Sequence, residues 1–183
     1  MASDFKDDMK TDHETYWCWT CRRRITHEEY LRRVKGRGVR NKEYYLGECG
    51  LNGCTGTLVH LDDKIAPYIF KLNDMGYVTG HCCEGHSLEP FSNKWASMHV
   101  LFEHEYPEIQ QALHWVWLHL IHEYGTKSPE SKIRLKVSIF SGGRTNIEST
   151  EYSTPKMRER VWKQFDMFME ELNKITLDKS GTA

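Results

Sequence analysis

Apolar residues recur along the chain at two spacings, and the points where one spacing gives way to the other outline its elements. In IAPYIFKLNDM, Ile65, Tyr68, Ile69, Leu72 and Met75 fall on one stripe of a helix, and Gly76 follows as a left-handed stop. Asp62 or Asp63 stands as its N-cap, with Pro67 still in the first turn, where a missing N–H matters least. GYVTGHCC then reads as a strand whose period of two puts Val78, Gly80 and Cys82 on one face and Tyr77, Thr79, His81 and Cys83 on the other. WASMHVLFEH alternates in the same way: Ala96, Met98, Val100 and Phe102 share one side, and Trp95, Ser97, His99 and Leu101 the other.

The helical spacing returns after Pro107, where Ile109, Ala112, Leu113, Val116, Leu120 and Tyr124 form a stripe that Gly125 ends. The opposite face of this helix carries Trp115, Leu118 and Ile121, so it is either sandwiched or offers a contact surface for a protein partner or a second copy. IRLKVSIF turns Ile133, Leu135, Val137 and Ile139 inward and Arg134, Lys136, Ser138 and Phe140 outward; SGGRTN is a turn and NIESTEY a partner strand. Thr154 and Pro155 open a last helix with Met157, Val161, Phe165, Phe168 and Leu172 as its stripe. Helix, two strands, helix, two strands, helix is not the alternation of a parallel sheet. It predicts an α+β domain over 62–176, a mostly antiparallel sheet with helices on one face, followed by a frayed tail at 177–183.

The segment before this domain has a different character. Cys18 and Cys21 stand two residues apart, Cys49 and Cys54 four apart, and glycines at 47, 50 and 53 let the second pair turn tightly. Two such pairs suit one zinc ion held by four thiolates in two knuckles, a zinc-ribbon or treble-clef-like module over 16–61; the alternative is four unrelated buried cysteines. Thr26 with Glu29 forms a capping-box signature opening a short helix, and KEYYLGE and TGTLVHL read as strands beside the second pair.

Composition refines this picture. In 183 residues, 39% hydrophobic and 28% charged, a core can form and a disordered chain is excluded. No apolar run reaches the ~20 residues of a spanning helix, and the acidic residues 1–15 read as a mobile leader rather than a secretory signal, so a reducing cytoplasmic setting is expected. The net charge of -1 conceals an asymmetry, because Arg22 to Lys42 carries nine Lys or Arg, including Arg32, Arg33 and Arg37, against Glu28 and Glu29. Such a field attracts phosphates, with Trp17, Trp19, Tyr30, Tyr44 and Tyr45 available to stack; a solvated basic face without a partner is the alternative.

Chemistry gathers at GYVTGHCCEGH. Cys83 is the candidate nucleophile or ligand beside His81, His86 and His99, with Glu84 as acid or base, and Cys83 with His86 could hold a second zinc; alternatively CCEG is a tight turn whose thiols merely pack. LNDMGYVTGHCCEGH resembles the LNxxGYxTxxSCSGH run of small uncharacterised proteins of Gram-positive bacteria and their phages. More distantly it is similar to the SCSG loop of wybutosine-synthesis methyltransferases, which act on transfer RNA. Glu84 stands where those patterns carry Ser. The likeness implies a bacterial or phage origin and carries no activity with it.

If the helices cover one face of the sheet, the other displays Tyr77, Thr79, His81, Cys83, Trp95, Ser97, His99, Arg134, Lys136 and Ser138, a platform for a nucleotide or a single strand of RNA or DNA; a plain solvated face, or one covered by the zinc module, is the alternative. Three functions compete: a zinc protein that binds nucleic acid or a nucleotide, an enzyme using Cys83 or a second metal, and a phage factor that inhibits a host system through Trp115, Leu118 and Ile121.

Overall fold

The computed structural model describes residues 15–26, 28–29, 49–62, 64–83, 85, 97–150 and 154–180, and the chain divides into two compact units, 1–67 and 68–183. In the first, β1 (Thr15–Cys18) lies between β2 (Arg23–Thr26) and β3 (Leu58–His60) in an antiparallel sheet of order β2-β1-β3. The β1-β2 hairpin encloses the first cysteine pair, a pairing that the hydrophobic pattern did not announce. Tyr16, Cys18, Ile25, Cys49 and Leu58 form its small core, with Cys21 and Cys54 packed against them. Thr26 Oγ1 accepts the Glu29 amide at 3.2 Å, as the capping signature requires; the rest of that helix, the expected strand KEYYLGE and the acidic leader lie outside the described residues.

The second unit has the expected order. α1 (Ala66–Asp74) leads to β4 (Thr79–Cys83) and β5 (His99–Phe102), then α2 (Pro107–Tyr124), β6 (Leu135–Phe140), β7 (Arg144–Ser149) and α3 (Pro155–Ser180). The strands are antiparallel in the order β4-β5-β7-β6. α1 ends as its sequence demands: Gly76 takes φ +90, and the Tyr77 amide reaches back to the Leu72 carbonyl at 2.9 Å. Asn73 then anchors the next strand, its Nδ2 donating to Thr79 Oγ1 at 2.7 Å.

Alternation decides which side chains enter the core. Cys82, Val100, Ile147 and Val137 form one row across the four strands, and Met98, Val100, Phe102, Leu135 and Ile147 are buried. From the helices come Ile69, Leu72, Ile109, Leu113, Val116, Val161, Phe165, Phe168 and Leu172, also buried. Phe165 stacks on Phe168 at 5.5 Å and meets Tyr68 edge-on at 5.1 Å.

Two expectations are corrected. The C-terminal helix does not give way to a frayed segment at 177 but continues through Ser180, because nothing breaks it before Gly181 and Lys179 pairs with Glu108 of α2. Tyr77 is not on the open face. It is 6% exposed, packs edge-on against Tyr106, and its hydroxyl lies 2.9 Å from Thr176 Oγ1 of α3. The cause is a bulge: Thr79 opposes Phe102 while His81 opposes Leu101, so the extra residue reverses the alternation between them. Tyr77 and Thr79 therefore turn inward, and only His81 and Cys83 remain outward.

Phe165→Ala is expected to lower unfolding stability by about 3–5 kcal/mol in urea titration, since it opens a void between stacked rings that cannot close. The same variant should retain whatever metal the wild type carries.

Candidate metal centre and sheet face

The first knuckle is shaped by the residue after its second cysteine. Arg22 takes φ +54, which lets its amide donate to the Cys18 carbonyl at 2.7 Å and wraps the chain around Cys18 and Cys21. Asn52 and Gly53 adopt the same region in the second knuckle, where the Gly50 amide bonds the Cys54 carbonyl at 2.8 Å and the Cys49 amide bonds the Gly56 carbonyl at 2.7 Å. Amides also point at the sulfurs: Cys21 N lies 3.5 Å from Cys18 Sγ, and Gly56 N 3.4 Å from Cys54 Sγ. Gly56 is there for space, because a Cβ on it would come within 2.3 Å of Thr20 Oγ1 and 2.8 Å of Cys18 Sγ.

These turns bring four sulfurs together, with Cys18 and Cys54 3.7 Å apart, Cys21 and Cys49 3.6 Å apart, and all four atoms within 4.8 Å of one another. A disulfide would need sulfurs at about 2.05 Å. Sulfurs bound tetrahedrally at ~2.3 Å from a metal stand about 3.8 Å apart, which is the spacing seen. The four cysteines predicted as ligands thus form one group positioned to hold a metal ion.

Ionisation of the thiols follows the same geometry. Burial opposes it at Cys18, but the Cys21 amide and the neighbouring thiols outweigh burial and hold the Cys18 pKa below the usual thiol value. Cys21 is pushed up to about 12, first by burial, then by hydrogen bonds to Cys18, Cys49 and Cys54, and lastly by the charge of Cys18.

The other candidate residues divide. Arg32, Arg33, Arg37, Glu84, His86 and Trp95 lie outside the described residues. His81, Cys83, His99, Arg134 and Lys136 do not, and apart from Arg134, which precedes β6, they fall on the outward side of the sheet in a defined order. Cys83, His99, Glu148 and Lys136 occupy one row across β4, β5, β7 and β6. His81 belongs to the next row, beside Leu101, yet its Nδ1 lies 2.9 Å from His99 Nε2 with the rings parallel within 10°. One of these nitrogens donates and the other accepts, so a single proton is shared between them.

The expected meeting of His81 and His99 is therefore observed, and Cys83 is the cross-strand neighbour of His99. Glu148 is the member of the row that the reading of the sequence missed. Its signal was present, since pairing NIESTEY with the strand of Lys136 sets it opposite a lysine. Trp115 and Leu118 are exposed at 48% and 37%, as expected of the outer face of α2, and Ile121 is half-buried.

Comparison with family models, with curated proteins and with solved structures finds no match to this chain. No described helix is long and apolar enough to cross a membrane.

Two variants probe the cysteine group from different sides. Cys18→Ser should remove one ligand and lose the metal in elemental analysis, whereas Gly56→Ala keeps all four thiols and should weaken metal retention by crowding Cys18 Sγ. Because ligating thiols must be deprotonated, metal should also be released as the pH falls. On the sheet, brief iodoacetamide treatment followed by peptide mapping should label Cys83 faster than Cys82, whose side chain turns toward the core; equal slow labelling would leave this loop a structural turn.

Proposed function

We propose that the cysteine group holds one structural Zn2+ and that the chain, of bacterial or phage origin and working in the cytoplasm, binds nucleic acid or a nucleotide. The reading is carried by the sulfur spacing, since four soft thiolate ligands in a closed tetrahedral set select zinc over hard cations. It is supported by charge on the same unit. Arg22, Arg23 and Arg24 are exposed where β2 leaves the first knuckle, and the basic run continues in the sequence through Arg32, Arg33 and Arg37. The zinc fixes the direction in which these guanidinium groups leave the hairpin, and phosphate is the ligand such a field recognises. On the sheet, exposed His81 and Lys136 supply hydrogen-bond donors, and the paired imidazoles offer a flat surface for a base.

A second reading rests on the row itself. A thiol, an imidazole and a carboxylate on neighbouring strands, Cys83, His99 and Glu148, are the ingredients of a nucleophile, its base and the group that orients that base. With His81, His86 and Glu84 nearby in sequence, the same row could instead supply ligands for a second metal. On this reading the protein turns over a nucleotide or RNA substrate, and Cys83→Ala abolishes activity while leaving ligand binding in place.

Reversing the charge of Arg32, Arg33 and Arg37 together should weaken binding to RNA, DNA or nucleotide and flatten its dependence on salt, because each lost phosphate contact lowers the slope by about one. Thermal stability should change little, exposed charges contributing weakly to folding. Unchanged binding of all three ligand types by the triple variant would reduce the basic run to a solvated face.

A further inference from the structure

The four-stranded sheet ends in a strand whose outer edge no described strand covers. β6 pairs with β7 on one side only. Ladder parity shows which of its peptide groups are left over. The Thr150 amide donates to the Arg134 carbonyl at 2.8 Å, so 134 and 150 are a hydrogen-bonded pair, and residues 136, 138 and 140 likewise turn their peptide groups to β7. On the other side of β7, the Ser149 amide donates to the Met98 carbonyl, which gives the odd residues of β7 to β5 and confirms the parity. The amides and carbonyls of Leu135, Val137 and Ile139 therefore point away from the sheet.

The side chains of these same three residues turn to the helix side. There, with Leu113, His114 and Trp117 of α2, they line an open apolar groove along the edge. In that groove Trp117 is 40% exposed and Ile139 45%. The usual devices that close an edge are missing. LKVSIF contains no proline and no bulge, and its one charge, Lys136, lies on the opposite face.

We propose that this edge joins two copies of the chain, with β6 pairing antiparallel to the partner's β6 across a twofold axis at Val137, so that two four-stranded sheets become one continuous sheet. Register decides the axis. Only with the axis at Val137 do all three left-over peptide groups pair among themselves, Leu135 with the partner's Ile139, Val137 with the partner's Val137, and Ile139 with the partner's Leu135. An axis one residue earlier would set Lys136 against the partner's Lys136, whereas the axis at Val137 sets it against the partner's Ser138. Charge and hydrogen bonding thus select the same arrangement, and it is isologous, as a closed dimer requires. In it the half-exposed Ile139 and Trp117 are covered by the partner's strand.

Sedimentation equilibrium of the full chain tests this. The wild type should weigh twice the chain mass. Val137→Pro removes an amide that points outward, a substitution an edge strand tolerates, and should give a monomer with an unchanged thermal midpoint. Ile139→Lys, at a side chain already half in solvent, should do the same and decides the matter if the proline variant fails to fold. A wild type that stays monomeric at every soluble concentration overturns the proposal. So does a dimer that survives both substitutions, or one that dissociates instead when Trp115 and Leu118 are replaced by serine.

Discussion

Four sulfur atoms within 4.8 Å of one another cannot all be ionised without a cation among them, and the first unit is built around that condition. Its described core joins the cysteines to Tyr16, Ile25 and Leu58, and Trp17, Leu61 and Ile65 are buried in the same unit. Small units whose packed centre includes a group of thiols ordinarily need a metal or a cross-link to hold together. The positive φ of Arg22, the turn at Asn52 and Gly53, and the bare Cα of Gly56 are the local means by which the chain brings two distant pairs to one point. The direction in which Arg22 to Arg24 leave the hairpin depends in turn on that point being fixed.

The second unit depends on burial instead. Its sheet and helices enclose stacked aromatic rings and an unbroken row of apolar side chains, and it has the size to stand on them. Its chemistry lies on the other side of the same strands, where successive residues take opposite roles: Cys82 faces the core in the row of Val100 and Ile147, and Cys83 faces outward in the row of His99 and Glu148. A vicinal cysteine pair is in this way split between a core-facing position and an outward one. The hydrogen bond between His81 and His99 holds the two rings parallel on this face.

Much of this was legible in the chain because the patterns were strong. The stripe of α1 with Gly76 behind it, the alternation of β5 and β6, and the paired spacing of the cysteines each state their geometry directly. What was missed has physical reasons. Period two was carried through Gly80, although a lone glycine inside a strand is itself a sign of a bulge, and so Tyr77 was placed outward when it belongs with Tyr106 and Thr176. Residues 177–180 hold few apolar positions, with Leu177 60% exposed, so no stripe marked them as helix; the Lys179 to Glu108 pair that accompanies their helical course joins two distant segments and leaves no local trace. The hairpin at the first knuckle has strands of only four residues, too short for alternation to show. Glu148 acquires a place beside His99 only through strand order, which spacing along one strand does not encode.

The most direct test of the account is a thiol titration of the folded protein with and without a chelator. If the cysteine group holds a metal, Cys18, Cys21, Cys49 and Cys54 should stay unreactive until the chelator is added and then all react together, accompanied by release of one metal ion per chain and loss of structure confined to the first unit. Reaction of these four thiols at the same rate in both conditions, with no metal released and the fold unchanged, would contradict it.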